Sequence, residues 1–340
     1  MPKLNPNLFL DEDYEVYGDR QAHRVSKPKP GAHTRRPPVQ VLEEMAIQSD
    51  GVESFRFTYQ ASRHEQGWLL DSLGDFYEGQ WLHDVLRMIR GGKEASVYQC
   101  TGAVMASSEP YLAAKVYRPR PLRSLKNDHL YREGRANLDS DGNQIRNHGM
   151  VHAMHKRTDF GLQLLHTSWI EHEFQALQTL HAAGADVPFP YARGANAVLM
   201  SYIGGPETPA PTLQSVDLDP EEVRPLFERV LKNIEIMLSK ERVHGDLSAY
   251  NILYWEGEIT LIDFPQAINP YENRNAYRIF ERDVTRICEY FTLQGVGVNP
   301  KALAADLWTA HRYRLTPEVH PRLLDDQDEA DRAYWQHLQE

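Results

Sequence analysis

The segment VHGDLSAYN, residues 243–251, constrains this chain more than any other part of its sequence. Asp246 and Asn251 lie five positions apart on a predicted tight loop, so their side chains can converge on one centre. A predicted hairpin over 252–262 follows, and Asp263 comes directly after its second strand. Phosphoryl transfer needs a carboxylate beside the acceptor hydroxyl and oxygen ligands for Mg²⁺. The pattern supplies both, and it therefore predicts a phosphotransferase centre.

The simplest alternative is that this segment is only a turn. His244-Gly245-Asp246 alone would be interpreted as a turn closed by an Asx-type hydrogen bond. The complete pattern is H-G-D-L-x-x-x-N, then a hairpin, then I-D, and it matches the loop and metal carboxylate of a kinase site. We therefore predict Asp246 and Asp263 as catalytic residues, and Asn251 and Asp263 as the ligands of Mg²⁺.

Features upstream of this segment are expected to complete a nucleotide site. GGKEASVY at 91–98 offers glycines whose backbone amides can approach phosphates, although the chain has no Walker A motif. Lys115 lies in the apolar segment LAAKVY and is predicted to point inward from a strand and to pair with the α- and β-phosphates as a catalytic residue. Such a lysine needs an acid from the next helix, and the candidates are Glu171 and Glu173. Glu173 is preferred because the apolar residues after it mark the packed side of that helix.

A predicted strand at 197–203 would connect the two halves of the nucleotide site. The backbone at 201–203 is expected to hydrogen-bond the adenine edge. The nucleotide-binding candidates are Gly91, Gly92, Lys93, Ser96, Val97, Lys115, Glu173, Met200, Ser201, Tyr202 and Ile203.

Composition narrows the classes of protein that the chain can belong to. Its 340 residues suit two domains or one bilobal fold, and its net charge of −11 argues against a general nucleic-acid coating. The two cysteines exclude a disulfide framework and a Cys-rich zinc site, and they predict a reducing compartment. Neither an apolar run of about 18 residues nor a signal-peptide core is found in the sequence. We therefore expect a cytoplasmic protein with no membrane partner.

Charge and periodicity predict an α+β chain in three parts. Residues 1–55 form a poorly ordered basic and proline-rich arm, 56–204 a small β-rich N-lobe with preceding helices, and 205–340 a larger helical C-lobe that ends in an acidic helix. The N-lobe includes a basic insertion at 119–160, predicted as a long loop. The predicted helices are 59–89 (whose C-terminal part could instead be a strand), 168–183, 219–240, 275–293 and 300–313. The predicted strands are 95–100, 112–117, 197–203, 252–255 and 259–262.

Taken together, these motifs resemble the RIO family of atypical serine/threonine protein kinases. The similarity is carried by GKEASVY at 92–98, AKVY at 114–117, WIEHEF at 169–174, VLMSYIG at 198–204, VHGDLSAYNIL at 243–253 and IDFPQA at 262–267, and it extends over about 82–298. The resemblance implies a bilobal protein-kinase-like fold without an activation segment or peptide-docking helices. It also implies ATP and Mg²⁺ as cofactors, with Mn²⁺ as a substitute, and phosphoryl transfer to Ser/Thr hydroxyls, including the chain's own.

The resemblance leaves the identity of the acceptor open. Some RIO proteins act as ATPase switches through a phospho-aspartate at the position of Asp263, and the family is associated with ribosome assembly. The basic segment 115–158, with a local charge of +6, could contact RNA or a ribosomal particle. The flanks of this chain look more like those of bacterial relatives. One alternative is a small-molecule phosphotransferase of the aminoglycoside or choline kinase type, which shares H-G-D-L-x-x-x-N. A second is an ATPase switch in ribosome assembly.

Overall fold

The computed structural model describes residues 55–92, 94–106, 109–118 and 135–315. The predictions for the N-terminal arm up to residue 54, for Lys93, for the first part of the basic insertion and for the acidic C-terminal helix lie outside the described residues. The division of the chain into three parts therefore stays a prediction.

Five antiparallel strands form one sheet in the N-terminal half, in the order β1-β2-β3-β5-β4. The central strand β3 is buried from Leu112 to Tyr117, and it pairs with β2 and with β5. Lys115 lies opposite Val97 on one side and Val198 on the other, so backbone pairing fixes its position from both sides. The strands are β1 (Leu82–Gly91), β2 (Ala95–Gly102), β3 (Tyr111–Tyr117), β4 (Pro190–Arg193) and β5 (Ala197–Ser201).

The first helix is shorter than the sequence predicted. Residues 59–89 divide into helix α1 (Arg63–Glu78) and most of strand β1, with Gly79 capping the helix. The pairing of β1 with β2 shifts register three times, and each shift interrupts the alternation of buried and exposed side chains. Leu82 and Val85 are consequently buried at a spacing of three. That is the spacing expected of a helix, but the alternative that the C-terminal part of 59–89 is a strand is confirmed.

The described part of the basic insertion is not the long loop that was predicted. It contains helix α2 (His148–Lys156) and the start of helix α3 (Asp159–Ala182), where the prediction began only at 168. The side chain of Asn147 accepts hydrogen bonds from two backbone N–H groups at the start of α2, and Thr158 caps α3 in the same way. Polar residues that suggested a loop are therefore helix caps. The two helices touch at Gly161, where a Cβ would lie 1.9 Å from the Ala153 oxygen.

Helices dominate the C-terminal half, as predicted. The short edge strand β4 was not predicted, and β5 ends at Ser201 rather than 203. The remaining elements are α4 (Pro220–Ser239), β6 (Ile252–Trp255), β7 (Glu258–Leu261), α5 (Ala276–Leu293) and α6 (Pro300–Ala310). Within the described ranges, α5 follows the hairpin after only residues 262–275. In those same ranges no helix combines the length and apolarity that crossing a bilayer requires.

One apolar core joins the two halves. It includes Ala113 and Val198 of the sheet, Trp169 of α3, Val230 of α4 and Ile287 of α5. A second, smaller core lies between α1 and the outer face of the sheet. The predicted α+β class, with a β-rich N-lobe and a larger helical C-lobe, is confirmed.

Candidate active site

Lys115 connects three parts of the fold. Its Nζ lies 2.5 Å from Glu173 Oε1 on α3 and 2.6 Å from Asp263 Oδ1 after the hairpin. The hydroxyl of Tyr117, two residues along β3, donates to the other oxygen of Glu173. Strand, helix and post-hairpin segment therefore meet at one ammonium group.

The charges in this cluster stabilise one another. Burial alone would lower the pKa of Lys115, but the carboxylates of Asp263 and Glu173 outweigh burial and raise it. Burial would raise the pKa of Asp263, and the Lys115 ammonium holds that pKa below its usual range instead. Both groups are therefore charged at neutral pH, as a contact with phosphates and a metal ion requires.

The two neighbouring acids of α3 have different partners. Glu173, preferred from the sequence, contacts Lys115, whereas Glu171 pairs with Arg193 of β4 and accepts a hydrogen bond of 2.8 Å from Gln175. Both are buried. Their opposite placement follows from helix geometry, because positions two apart point about 200° away from each other.

We call residues 243–251 the HGD loop. Its backbone conformation requires a glycine at position 245. Gly245 has φ +85°, and a Cβ there would lie 2.3 Å from the carbonyl oxygen of Gln266. The imidazole of His244 is buried; its Nε2 lies 3.1 Å from the Ile262 carbonyl, and its Nδ1 accepts from the Asp246 N–H at 3.3 Å. The loop is thus held against the segment that carries Asp263.

Helix α5 holds the HGD loop from the other side. The Gly245 N–H donates to Asp283 Oδ2 at 2.8 Å, and Arg282 donates both to the Gly245 carbonyl and to Asp283 Oδ1. Asp283 is buried, and burial raises its pKa although His244 and Arg282 oppose the rise. The sequence alone does not reveal these contacts, because they join the loop to a helix residue 38 positions further along the chain.

Asp246 has a contact on each of its carboxylate oxygens. Asn251 Nδ2 donates to the Asp246 carbonyl at 2.9 Å and to Oδ2 at 3.3 Å. Arg286 Nη1 donates to Oδ1 at 2.8 Å. Sequence reasoning missed Arg286, because nothing local links two residues forty positions apart on a loop and a helix.

The proposed metal ligands form a donor set that fits Mg²⁺. Asn251 uses its amide nitrogen toward Asp246, which leaves its oxygen without a hydrogen-bond donor among the described residues. Asp263 has φ +72°, and its side chain is half-exposed with only Oδ1 on Lys115. A carboxylate, an amide oxygen and substrate phosphates are typical Mg²⁺ ligands.

The glycine-rich turn lies where the sequence placed it. The Gly92 N–H donates to the Ala95 carbonyl at 2.9 Å, and a Cβ at Gly92 would lie 2.8 Å from that oxygen. Gly91 ends β1, and Val97 lies opposite Lys115 in the sheet. Ser96 is buried, and Lys93 is outside the described residues.

Some of the backbone groups predicted to contact adenine form hydrogen bonds within the protein instead. Met200 is buried near the end of β5, and the Ser201 N–H donates to the Phe189 carbonyl at 2.9 Å. The Ile203 carbonyl accepts from Ala210 at 3.0 Å. The Tyr202 N–H faces β3, because it follows Ser201, whose N–H points the other way, to Phe189. Among the described residues, the Ile203 N–H has no partner.

The fold has a bilobal, protein-kinase-like architecture, and these contacts bring together the groups that a phosphoryl-transfer site needs. Residues 96–303 match the family model of the RIO domain, and the chain belongs to this family. The predicted resemblance to RIO-type serine/threonine kinases is confirmed, and neither the small-molecule phosphotransferase nor the ATPase switch in ribosome assembly is favoured.

Similar proteins come from archaea and eukaryotes. The RIO-type serine/threonine-protein kinase Rio1 of Methanocaldococcus jannaschii is 28% identical over 253 residues, which cover 74% of this chain and 76% of the relative. The corresponding protein of Thermoplasma acidophilum is 30% identical over 132 residues, 39% of this chain and 68% of the relative. The serine/threonine-protein kinase RIO1 of Caenorhabditis elegans is 26% identical over 211 residues, 62% of this chain but only 37% of the relative. The likeness to bacterial relatives stays a prediction.

One solved structure with a similar shape is the Rio2 kinase of Chaetomium thermophilum in an ADP/Mg²⁺-phosphoaspartate complex. It has a TM-score of 0.49 and 19% identity, and the match covers 79% of this chain and 76% of that one.

Proposed function

We propose that this chain transfers the γ-phosphoryl group of Mg²⁺-ATP to a Ser or Thr hydroxyl of a protein, its own chain included, and to water at a lower rate. The observation that carries the proposal is the contact of Lys115 with both Glu173 and Asp263. A kinase site requires this lysine–acid pair and a metal carboxylate to be in place together.

Each side chain has a separate task in this proposal. Lys115 binds the α- and β-phosphates, and Glu173 keeps its ammonium oriented. Asp263 and Asn251 would hold Mg²⁺, which, when bound, neutralises charge on the phosphates. Asp246 orients the acceptor hydroxyl and accepts its proton. The bond from the acceptor oxygen to the γ-phosphorus forms, the bond from that phosphorus to the β–γ bridging oxygen breaks, and ADP leaves with the electron pair.

The adenine edge would bind at the connection after β5. Because the Ser201 N–H and the Ile203 carbonyl are engaged internally and the Tyr202 N–H faces β3, the Ile203 N–H is the donor we assign to adenine. The adenine would then lie against Met200 and Val97.

Two further parts of the proposal concern the cellular compartment and a macromolecular partner. Both cysteines are buried and unpaired, which supports a reducing compartment such as the cytoplasm. Contact with RNA or a ribosomal particle through 115–158 stays a prediction, since much of that segment is outside the described residues.

The test is to incubate the protein with ATP labelled at the γ-phosphate and Mg²⁺, and to locate the label on protein, metabolite or free phosphate. Asp246→Asn should lower turnover about 100-fold or more with little change in ATP affinity, because the shape stays and the charge is lost. Asp306→Asn on the exposed face of α6 is the matched control and should keep full turnover.

Two results would contradict the proposal. One is a wild-type protein that binds ATP but transfers no label, and the other is an Asp246→Asn variant with unchanged turnover. Label found only on a small metabolite would instead support the rival phosphotransferase. Label on protein that hydroxylamine releases would identify an aspartyl phosphate.

A further inference from the structure

Helix α5 contacts the HGD loop with two successive turns. The first turn, with Asp283 and Arg282, binds the backbone of Gly245. The next turn places Arg286 against the carboxylate of Asp246. The first contact fixes the loop, whereas the second reaches the side chain at the point where the acceptor hydroxyl must bind.

Most N–H donors of the Arg286 guanidinium make no hydrogen bond to the described residues. Arginine carries five N–H donors in a rigid fork, and this one uses Nη1 on Asp246 and has no other acceptor among the described residues. Its side chain is 41% exposed and that of Asp246 is 39% exposed, so the pair lies at an open face of the site. Arg282, in contrast, is engaged with the loop backbone.

The position of this cation suits the transferring group. An acceptor hydroxyl oriented by Asp246 lies about 3 Å from its carboxylate, and the phosphorus that it attacks is about 3–3.5 Å further on. A guanidinium on the same carboxylate can therefore reach the phosphoryl oxygens with a change of side-chain rotamer. Lys115 cannot serve the acceptor side, because Glu173 and Asp263 hold its ammonium at the sheet.

On the basis of the proposed function, we propose that Arg286 is a catalytic residue that binds the γ-phosphoryl group during its transfer. In the structure, Arg286 Nη1 donates to Asp246 Oδ1. When the acceptor hydroxyl binds, that oxygen accepts the hydroxyl hydrogen bond and the fork of Arg286 turns to the phosphoryl oxygens. The acceptor O–P bond forms, the bond to the bridging oxygen breaks, ADP departs with the electron pair, and the hydroxyl proton passes to Asp246. Arginine suits this task because its fork matches phosphate geometry.

The test compares Arg286→Ala, Arg286→Lys and the control Arg278→Ala by steady-state turnover of labelled ATP, together with calorimetric ATP titration. Arg278 is an exposed arginine on the same helix, and it has no partner among the described residues. Arg286→Ala should lower kcat about 100-fold and change ATP affinity less than about threefold, since the contact forms only during transfer. Arg286→Lys should recover about a tenth of wild-type kcat, and Arg278→Ala should match wild type.

Three outcomes would overturn the inference. If kcat of Arg286→Ala is unchanged, Arg286 only forms a surface ion pair with Asp246. If kcat rises, Arg286 inhibits the reaction by blocking the Asp246 carboxylate. If ATP affinity falls in parallel with thermal stability and lysine restores neither, its role is structural. In each case Asp246→Asn would still lower turnover about 100-fold or more, so the proposed function would stand. A wild-type protein without turnover would instead remove the proposed function itself.

Discussion

The two sides of the active site are built in different ways. On one side, Lys115 and Glu173 extend from regular elements, the central strand β3 and helix α3, whose backbones are paired throughout. On the other side, Asp246 and Asp263 lie on irregular backbone, held by His244 between the segments and by Asp283 from α5.

This difference predicts which side of the site tolerates substitution and which side does not. Side chains on the regular side can be replaced without loss of the backbone that presents them. On the irregular side, the side chains of His244, Asn251 and Asp283 bond to backbone groups. Replacing Asn251 therefore removes a proposed metal ligand and also loosens the loop. The left-handed φ of +72° at Asp263 adds a local cost of about 1 kcal/mol or more, which the surrounding contacts must hold.

The largest effect is expected on the irregular side. Asp263→Ala should lower Mg²⁺-dependent ATP turnover by about 10³-fold or more, because the site loses the anionic metal ligand and a charge facing Lys115. Asn251→Ala should leave a remnant that rises with added Mg²⁺ or Mn²⁺, since only a neutral ligand is lost. Metal titrations of both variants measure this.

The comparison between these two variants would fail in either of two ways. Asp263→Ala with wild-type turnover at saturating metal would remove Asp263 from the site. Asn251→Ala that no metal concentration improves would show that its bonds to Asp246, rather than metal binding, are what matters.

The regular side was the more predictable from sequence. The apolar run that contains Lys115 and the helix that carries Glu173 are local patterns. The strand was predicted at the correct place, and the predicted helix lacked only its first turns. The HGD loop was identified as a motif, but the contacts that shape it come from α5, and no spacing in the sequence reveals that Arg286 contacts Asp246. The register shifts of β1 and the capped start of α3 were missed for a related reason, since bulges and caps depend on partners and not on periodicity.

An intermediate effect is expected on the regular side. Glu173→Gln should lower turnover about tenfold and weaken ATP binding a few-fold, because Lys115 loses one partner but keeps Asp263. Glu171→Gln is the matched control: it is buried on the same helix, but it pairs with Arg193. It should reduce thermal stability and leave kcat near wild type. Equal losses of kcat in the two variants would show that packing of α3, and not the Lys115 contact, explains the effect.

The two sides are also joined by a short segment that precedes α2. Arg135 Nη1 donates to the Pro265 carbonyl at 2.8 Å, just after Asp263, and the next residue, Ala136, accepts from His172 Nε2 at 2.7 Å. His172 lies on α3 between the two acids. Burial, and then the nearby Arg135, lower the pKa of His172 to about 3. The imidazole is therefore neutral in the folded protein at pH values where it is charged in the unfolded chain.

The smallest expected effect is on the pH dependence of the free energy of unfolding, which tests this junction. With a folded-state pKa of about 3 and an ordinary value of 6.5, the contribution of His172 to stability is complete above pH 6.5 and declines as pH falls toward 3. Between pH 6.5 and 5 the decline is about 2 kcal/mol, since each pH unit is worth about 1.4 kcal/mol. Urea unfolding of His172→Gln should lose this slope, because glutamine can donate to the Ala136 carbonyl without taking up a proton. His152→Gln on the exposed face of α2 should keep the slope. An unaltered slope in His172→Gln would mean that acid destabilises the fold at another group, and that His172 is not the origin of the pH dependence.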